Sequence, residues 1–470
     1  MKPKRKRKYI KWTLTSIAGL CILYLLLALA PHMGQVYISP ETRASFAMEN
    51  FYGDETIPER VLLLEDPWES FLHRIRLIAG AETEILLSTF AIHSGITGDI
   101  IIGALLDAAD RGVSVTIINN AVAGQMPLPY RDALSAHENI HAYLFNRFDF
   151  FRPRYLNAAL HDKYMVVDGR VMILGGRNIG DKYFAPACFT GLLSLDREVL
   201  VYNTDPAFAG SVVAVMDYFH SKIVSGRASL NRRITRTGGS EAQAAQFIDI
   251  YRAHLESYHG APFDYAAHTL PVNNITLVTG PFEGVRTDSN VAYTLLRMAE
   301  NSQVMVVQSP YVVLTNRNHT RFAQAVYGRD VTLLTNSLAS TPNLPSFSNY
   351  HISRRRLLAT GIQIYEFQST AASLHAKTYL FDGRLTAIGS FNLNERSIRS
   401  DTESMLVIDS EAFYQATRDA IARQFAQSLQ VGEDNRYVSR AGVEVAHVSL
   451  GKRLLYTAAG HVLRGFRFMF

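Results

Sequence analysis

One pattern of chemically capable residues occurs twice in the chain. A histidine is followed by a lysine two positions later, then by an aspartate, a glycine and an asparagine at the same spacing in both copies. The first copy comprises His161, Lys163, Asp168, Gly175, Gly176 and Asn178, and the second comprises His375, Lys377, Asp382, Gly389, Ser390 and Asn392. One such short pattern in 470 residues is weak evidence, but two copies with the same downstream extension are specific.

These residue types suit the transfer of a phosphoryl group. A lysine ammonium and an asparagine amide can hold the oxygens of an anionic phosphodiester and stabilise the charge that develops on them. A neutral imidazole can attack phosphorus, and a second, protonated imidazole can give its proton to the departing alkoxide. Each copy supplies only one histidine, so we expect the site to form where the two copies face each other.

The motif predicts a β-hairpin. Histidine and lysine are two residues apart, so on a strand their side chains leave from the same face. The pairs Asp168-Gly169 and Asp382-Gly383 lie between apolar runs and are typical of two-residue turns. The two aspartates then lie at the hairpin tips, where we expect them to form the turn and structural hydrogen bonds rather than to transfer protons.

Counting residues outward from these turns defines the expected phosphate-binding patch. His161 falls opposite Gly176, and His375 falls opposite Ser390. Asn178 and Asn392 fall on the same face, one step beyond. Each patch therefore combines an imidazole, an ammonium, an amide and a small residue that lets a phosphate approach closely.

Each imidazole also needs an acceptor that fixes its tautomer and orientation. Glu403, in SDTESMLVI, and Glu198, in LDREVLVY, occupy equivalent strand starts and are the expected supporting residues. Asp196 competes with Glu198 for this role. The structural alternative for both glutamates is a solvated carboxylate at the end of a strand.

The order of elements is also duplicated. The helix-like segment IIIGALLDAADRG lies between the strand-like ILLSTF and VSVTIINN, and in the second half TRFAQAVYGRD lies between VMVVQSPYVV and VTLLTNS. This alternation predicts an α/β fold of two similar lobes, each a mixed sheet flanked by helices, related by a pseudo-two-fold axis. The expected divisions are a basic tail at 1–11, an anchor at 12–30, a linker at 31–60, a first lobe at 61–225, a connector at 226–270, a second lobe at 271–430 and a C-terminal segment at 431–470.

The N-terminus predicts a membrane anchor. Residues 12–30 are uncharged and follow seven lysines and arginines, and the segment is about long enough to cross a bilayer. A cleaved signal peptide is the alternative, although Pro31 after Ala28-Leu29-Ala30 should block the usual cut. The positive-inside rule places the tail in the cytoplasm and the body across the membrane. The last twenty residues suit either an amphipathic helix on the membrane surface or a helix packed on the body.

Charge and composition exclude several classes of protein. Residues 12–450 carry 36 basic against 42 acidic side chains, which argues against a chain that grips nucleic acid non-specifically. Two cysteines exclude a disulfide scaffold and a cysteine-rich metal site. The sequence has no nucleotide-binding glycine loop and no histidine spacing typical of metal ligands, so we expect neither a cofactor nor a metal.

The segments HDKYMVVDGRVMILGGRN and HAKTYLFDGRLTAIGSFN resemble the two signature motifs of the phospholipase D superfamily. The resemblance covers roughly residues 60–430, and GGRNIGDKYF, TNSLAST and NERSIRSDTE look most like the bacterial cardiolipin synthase branch with a single N-terminal anchor. It implies metal-independent phosphatidyl transfer at the bacterial inner membrane, with His161 as nucleophile and His375 as general acid. The implied reaction is cardiolipin synthesis from phosphatidylglycerol, and phosphatidylethanolamine is a second candidate substrate.

The chain departs from that branch near the expected substrate entrance. It has IINNAV where an acidic strand end is usual, and Ala158 and Ala159 where arginines are common. Three rival functions follow from the same motifs: hydrolysis of phospholipids to phosphatidic acid, a membrane-tethered nuclease, and a non-catalytic lipid-binding scaffold. The run Arg354-Arg355-Arg356 is the best candidate for a basic channel in a nuclease, against a solvated helix face.

Overall fold

The computed structural model describes residues 3–122, 124, 126–220, 231–234, 241–259, 263–280, 282–283 and 286–470. Within these residues two large mixed sheets form the body. The first consists, in spatial order, of β10 (Asn231–Arg233), β4 (Ile140–Phe145), β3 (Ser114–Asn120), β2 (Glu84–Thr89), β6 (Tyr164–Val167), β7 (Val171–Gly175), β9 (Glu198–Asn203), β1 (Glu59–Leu64) and β11 (Leu270–Pro271).

The second sheet repeats this plan. It consists of β22 (Ser428–Val431), β17 (Gln363–Phe367), β16 (Asp330–Asn336), β15 (Val304–Gln308), β19 (Thr378–Phe381), β20 (Leu385–Gly389), β21 (Asp401–Asp409) and β12 (Asn274–Gly280). In both sheets three parallel strands adjoin an antiparallel set, and each H-x-K motif leads into the strand at the same position, β6 or β19. The prediction of a duplicated α/β fold is confirmed.

Helices flank both sheets, and two of them, at Ser211–Tyr218 and Glu411–Phe425, add side chains to the apolar layer between the lobes. Their bounds are α1 (Pro3–Met33), α2 (Pro40–Ser45), α3 (Pro67–Ala79), α4 (Ile96–Asp110), α5 (Leu128–Ser135), α6 (Asp181–Phe184), α7 (Ser211–Tyr218), α8 (Glu241–His259), α9 (Tyr265–His268), α10 (Asn290–Glu300), α11 (Asn316–Val326), α12 (Leu344–Leu358), α13 (Glu395–Arg399), α14 (Glu411–Phe425) and α15 (Leu450–Leu463). Short 3₁₀ turns lie at Met48–Phe51, Pro153–Tyr155 and Arg464–Met469.

A shared apolar layer holds the two lobes together. Val61, Leu86 and Met172 of the first lobe belong to the same buried cluster as Leu406 and Ile408 of the second. Separate cores lie on the outer faces, beneath α3, α4 and α8 in one lobe and beneath α10, α11 and α12 in the other. The motif strands β6 and β19 lie inside the two sheets, and because the sheets pack face to face, the ends of these strands that carry the histidines meet at one interface.

Local signals explain where several helices begin. Asp66 accepts hydrogen bonds from the backbone N–H groups of Trp68 and Glu69, and Pro67 opens α3. Thr315 caps α11 in the same way through the N–H of Asn318. Such caps satisfy donors that a helix cannot satisfy itself, and they fix the register of the helices on each sheet.

Three short strand pairs and the ends of the chain complete the structure. β13 (Phe282–Glu283) pairs with β14 (Arg286–Thr287), while β5 (Ala159–Leu160) and β8 (Leu193–Leu195) make contacts between lobes, the latter with β18 (Ala372–Leu374). In α1, residues Tyr9–Ala30 have the length and composition to cross a membrane, a test that a signal sequence also passes. Of the predicted connector, residues 226–230, 235–240 and 260–262 lie outside the described residues, and α8 packs on the first lobe.

The C-terminal helix combines features of both sequence alternatives. α15 packs against α12 through the buried Tyr456 and Gly460, where a Cβ on the glycine would come 2.6 Å from the carbonyl oxygen of Ser348. Its other face leaves Leu450 and Val462 exposed to solvent. The helix therefore packs on the body and also presents an apolar face outward.

Candidate active site

Two short parallel strand pairs between the lobes build the site. β5 pairs with the start of β21, with Leu160 opposite Thr402, and the next residues are His161 and Glu403. β8 pairs with β18, with Leu195 opposite Leu374, and the next residues are Asp196 and His375. Each pair therefore delivers a histidine from one lobe beside a carboxylate from the other.

The first centre joins His161 to the second lobe. Its Nδ1 lies 3.0 and 3.1 Å from the two carboxylate oxygens of Glu403, and its backbone N–H donates to Thr402 Oγ1 at 3.1 Å. The hydroxyl of Ser390 donates a short hydrogen bond to the same carboxylate. Lys163 Nζ donates to the carbonyl of His161. With Nδ1 engaged, Nε2 is the nitrogen left for a reacting phosphorus.

The second centre has the same arrangement as the first, with the two lobes exchanged. His375 Nδ1 lies 2.5 Å from Asp196 Oδ2, and Lys377 Nζ lies 3.1 Å from the same ring nitrogen. A Cβ on Gly176 would come 2.2 Å from Asp196 Oδ1, so only glycine allows this aspartate its position. Gly176 and Ser390 thus back the two carboxylates, whereas the sequence argument assigned them to the phosphate-facing patch.

The expectation for Glu198 is corrected. Its buried carboxylate accepts hydrogen bonds from Ser70, Arg74 and Arg177 inside the first lobe. Asp196, the competing candidate, is the residue beside His375. Both residues precede or begin the same strand on the same face, and the β8–β18 pairing decides which of them reaches the other lobe.

The hairpins also differ from the expected register by one residue. Val167 pairs with Val171, and Phe381 pairs with Leu385, so each turn contains three residues rather than two. The aspartate and the glycine both adopt left-handed backbone conformations, with φ of 52° at Asp168. Continuing the observed register places His161 opposite position 177 rather than Gly176.

The two turn aspartates explain this geometry. Asp168 accepts hydrogen bonds from the backbone N–H groups of residues 82, 83 and 84 and from the hydroxyl of Thr83, at 2.7–2.9 Å. Burial alone would raise the pKa of Asp168, but these bonds hold it below its usual value. Asp382 accepts two such bonds, from Gln303 and Val304. Both aspartates tie the hairpin to the neighbouring strand and lie away from the histidines.

The two asparagines are buried in different ways. Asn178 Oδ1 accepts from the N–H of Ala91, and its Nδ2 donates to the hydroxyl of Tyr183. Asn392 Oδ1 is buried, and it has no hydrogen-bond partner within the described part of the chain. The side-chain oxygen of Asn392 is therefore an unused acceptor for a donor of a bound group.

Burial sets the charge state of the centre. Burial first, and then Lys163 and Lys377, lower the pKa of His161 well below its usual value. Burial and Lys377 lower the pKa of His375 to about 3. Burial lowers the pKa of Lys163 to about 8 and that of Lys377 to about 7. These shifts favour the neutral form of both imidazoles, which is the form that can attack phosphorus.

The pKa values of the two carboxylates are shifted in opposite directions, whereas those of the two histidines are both lowered. Burial raises the pKa of Glu403 to about 7. Burial acts in the same sense on Asp196, but His375 and Lys377 outweigh it and hold the pKa of Asp196 well below its usual range. The carboxylate of Asp196 consequently stays ionised to a lower pH than that of Glu403.

One group of potential metal ligands lies at this site. His161, Asp401 and Glu403 bring ligand atoms within 4.8 Å of one another. However, Glu403 is engaged by His161 and Ser390, and Asp401 accepts from Arg396 at 2.9 Å. The positive charge of Lys163 also stabilises the ionised carboxylate of Glu403. These interactions compete with a cation, so the residues fit a metal ion poorly.

Aromatic residues form walls that the sequence argument did not identify. The ring of Phe90 lies 5.5 Å from that of His161, while Tyr183 and Tyr311 lie 5.5 and 6.2 Å from His375. Phe90 and Tyr311 lie within the strand-like segments ILLSTF and VMVVQSPYVV, and Tyr183 follows the glycine-asparagine extension of the first motif. The run Arg354-Arg355-Arg356 was the candidate for a basic channel. Arg354 is buried in an ion pair with Glu366, so this arginine does not line such a channel.

The chain is similar to a family of known proteins. A family model described as cardiolipin synthase, PLD-like domain, matches residues 75–220 and 295–427. Cardiolipin synthase C of Escherichia coli K12 is 30% identical over 413 residues, covering 78% of this chain and 84% of that protein. A protein of Helicobacter pylori 26695, named as uncharacterized, is 26% identical over 401 residues, covering 78% and 79%.

The fold is similar to that of a solved enzyme. The crystal structure of phosphatidylserine synthase from Haemophilus influenzae aligns with a TM-score of 0.60 and 14% identity, covering 87% of this chain and 95% of that one. At this identity the likeness concerns the fold alone. The two family matches each include one complete histidine-lysine motif. The chain therefore belongs to the phospholipase D superfamily, in the family of cardiolipin synthase-like domains, and is a phosphatidyltransferase of the phospholipase D type.

Proposed function

We propose that the chain makes cardiolipin from two molecules of phosphatidylglycerol through a phosphatidyl intermediate on His161. The observation that carries this proposal is the pairing of each histidine with a carboxylate of the opposite lobe, His161 with Glu403 and His375 with Asp196. Two imidazoles with engaged Nδ1 atoms and adjacent lysines are what a two-step displacement at phosphorus needs.

In the first step, Nε2 of His161 attacks the phosphorus of one phosphatidylglycerol. The bond from phosphorus to the head-group glycerol oxygen breaks, and His375 gives that oxygen its proton, so free glycerol leaves. The anionic substrate raises the affinity of His375 for this proton, because a nearby negative charge favours the imidazolium. Lys163 and Lys377 stabilise the phosphate oxygens.

In the second step, a head-group hydroxyl of another phosphatidylglycerol gives its proton to His375 and attacks the same phosphorus. The phosphorus–nitrogen bond breaks, His161 becomes neutral again, and cardiolipin is released. The aromatic rings of Phe90, Tyr183 and Tyr311 beside the histidines restrict water and favour a lipid alcohol as acceptor.

Contacts of the anchor support a membrane substrate. His32, directly after the apolar span, is buried and lies 3.0 Å from Ser400 Oγ, next to the strand that carries Glu403. Arg399 donates to the carbonyl of Gly34 at 2.7 Å. Tyr24 in the span stacks on Phe150 with ring centroids 4.8 Å apart. The anchor thus ends against the lobes at the edge of the candidate site.

The test is lipid analysis by mass spectrometry after incubation of the purified protein with phosphatidylglycerol vesicles, with and without phosphatidylethanolamine. We expect cardiolipin and glycerol from the wild type and neither from His161→Ala or His375→Ala. Phosphatidic acid alone would indicate hydrolysis. Unchanged lipid together with cleavage of an oligonucleotide would favour the nuclease. The mixture that is turned over identifies the donor.

We also propose that the body lies on the outer side of a bacterial cytoplasmic membrane, with the N-terminal tail inside. Seven basic residues precede the span, and cytoplasmic flanks carry such an excess. Cys188 is exposed on the body. A membrane-impermeant maleimide should therefore label Cys188 in intact spheroplasts, whereas labelling only after lysis would contradict this orientation. A Cys21→Ala background removes the second thiol.

A further inference from the structure

The second lobe contains a cavity on the face of its sheet that points away from the first lobe. It has a volume of 340 Å³ and lies between α10, α11 and the sheet. Its walls are apolar, including Leu295, Leu296, Leu314, Phe322 and Phe391. This volume is at the lower end of the range for small-molecule sites, which suits a slender apolar group such as an acyl chain.

Arginines line the same cavity. Arg43 and Arg321 border it and have no ion-pair partner among the described residues, while Arg297 is paired with Glu300. Burial and then the charges of Arg317, Arg399 and Arg43 lower the pKa of Arg321, and the carboxylate of Glu395 offsets this only in part. Clustered cations that destabilise one another gain most from an anion, and guanidinium groups bind phosphate in particular.

The cavity adjoins the chain where it leaves the apolar span. Val36 and Ile38, in the linker after α1, form part of its wall. A few residues earlier, the carbonyl of Gly34 is held by Arg399. A ligand that combines an apolar tail with an anionic head, and that is available beside a membrane span, is an anionic phospholipid.

Part of the cavity wall is formed by residues of the second motif and of the segment that follows it. Tyr379 follows Lys377 by two residues, and Phe391 and Leu393 flank Asn392. The hydroxyl of Tyr379 donates to the carbonyl of Phe391 at 3.3 Å, which ties this strand to the segment that carries the asparagine. An occupant would restrict the motion of the side of the site that holds Lys377 and Asn392.

We propose that this cavity binds one acyl chain of an anionic phospholipid, with the lipid phosphate on Arg43 and Arg321, as a site separate from the reaction centre. The proposal does not require turnover, so it can fail or succeed independently of the function proposed above. Its regulatory consequence is that membranes rich in anionic lipid stiffen the second motif through Tyr379 and Phe391.

The test is photocrosslinking of the full-length His161→Ala protein in nanodiscs, so that no probe is consumed. The probe is phosphatidylglycerol with a diazirine at the end of one acyl chain, compared with phosphatidylcholine carrying the same chain. We expect label on α10 or α11 from the first probe, and about tenfold less from the second, because two charge-assisted contacts are lost.

Two variants sharpen the result. Arg43→Ala/Arg321→Ala should reduce labelling of α10 and α11 about tenfold, whereas Arg355→Ala/Arg418→Ala, a pair of exposed arginines elsewhere, should leave it unchanged. Leu296→Trp should fill the cavity and exclude the chain while both arginines remain. Equal labelling by the two probes, label only outside the cavity, or labelling unaffected by the first pair and by Leu296→Trp would overturn the proposal.

Discussion

The two halves of the active site follow one plan but hold their histidines with different carboxylates. His375 is held by an aspartate that packs against Gly176, and His161 by a glutamate that receives a hydroxyl from Ser390. Asp196 is therefore the shorter acid, has a glycine behind it and accepts a further hydrogen bond from the backbone N–H of Arg197. Glu403 is the longer acid and accepts its further hydrogen bond from a side-chain hydroxyl.

This difference is the basis on which we propose unequal chemical roles for the two histidines. The pKa of Asp196 lies well below its usual range, so the acid stays ionised and can stabilise an imidazolium on His375. Burial raises the pKa of Glu403 to about 7, so it supports a charged His161 less well. We infer that His375 carries the proton and His161 is the nucleophile, which agrees with the expectation drawn from the family.

The sharpest test of this asymmetry removes each histidine. His161→Ala and His375→Ala should both lower turnover of phosphatidylglycerol by about 10⁴-fold or more. With a phosphatidyl p-nitrophenol substrate, whose leaving group needs no proton, His375→Ala should still release nitrophenol in a burst and retain protein-bound phosphatidyl, measured by absorbance and intact mass.

The roles would be reversed if the adduct formed on His161→Ala and not on His375→Ala. Circular dichroism of both variants provides the control for folding. A burst in neither variant would contradict the covalent route through one preferred histidine.

Neutralising the two carboxylates should have unequal effects. Asp196→Asn should lower kcat/KM for phosphatidylglycerol by about 10³-fold, because the imidazolium on His375 loses its counter-charge. Glu403→Gln should cost about tenfold, since the amide still accepts from His161 and orients the ring. Steady-state assays of both variants make this comparison, and equal losses would remove the basis for assigning different roles.

The lysines predict where activity declines with pH. Their lowered pKa values, about 7 for Lys377 and about 8 for Lys163, mean that the ammonium groups are present below this range and lost above it. His161 stays neutral throughout, because its pKa is lowered well below 6.5. We expect kcat/KM in mixed micelles to fall as pH rises from 7 to 9. Lys377→Arg should move part of the fall to higher pH, and a decline only near pH 10 would contradict the burial of these lysines.

The turn aspartates should separate stability from catalysis. Asp168→Ala removes four hydrogen bonds and should lower the free energy of unfolding by about 2 kcal/mol, while Asp382→Ala removes two and should cost about 1 kcal/mol. Urea titration in detergent measures both. Activity per folded molecule should be unchanged, and a selective loss of kcat would give these residues a direct part in the reaction.

The duplicated architecture could be predicted because both motifs are complete and spaced alike, and strand and helix signals recur in the same order. Details set by long-range pairing could not. Asp196 and Glu198 share a strand face, so sequence alone gives both the same orientation, and only the contact of β8 with β18 separates them. A D-G pair predicts a hairpin, but the third turn residue follows from the bonds of Asp168 to another strand.

The residue between these two acids shows the same limit. Arg197 is buried and donates to Glu65 in its own lobe and to Gln308 and Thr378 in the other. In the sequence LDREVLVY, Arg197 looks like an ordinary charged residue at the end of a strand. Its part in joining the lobes depends on a partner strand more than a hundred residues away, which no local pattern encodes.

The contacts of His32 with Ser400 and of Arg399 with Gly34 fix the catalytic body to the end of its apolar helix. With the proposed anchor in a bilayer, an enzyme tethered so closely would sample lipid as a surface density, since its reach above the bilayer would be constant. Its rate should then depend on the mole fraction of substrate in the membrane, and should fall when inert lipid is added at a constant bulk concentration of substrate. Such surface dilution makes the composition of the leaflet, rather than the amount of lipid, the quantity to which the protein responds.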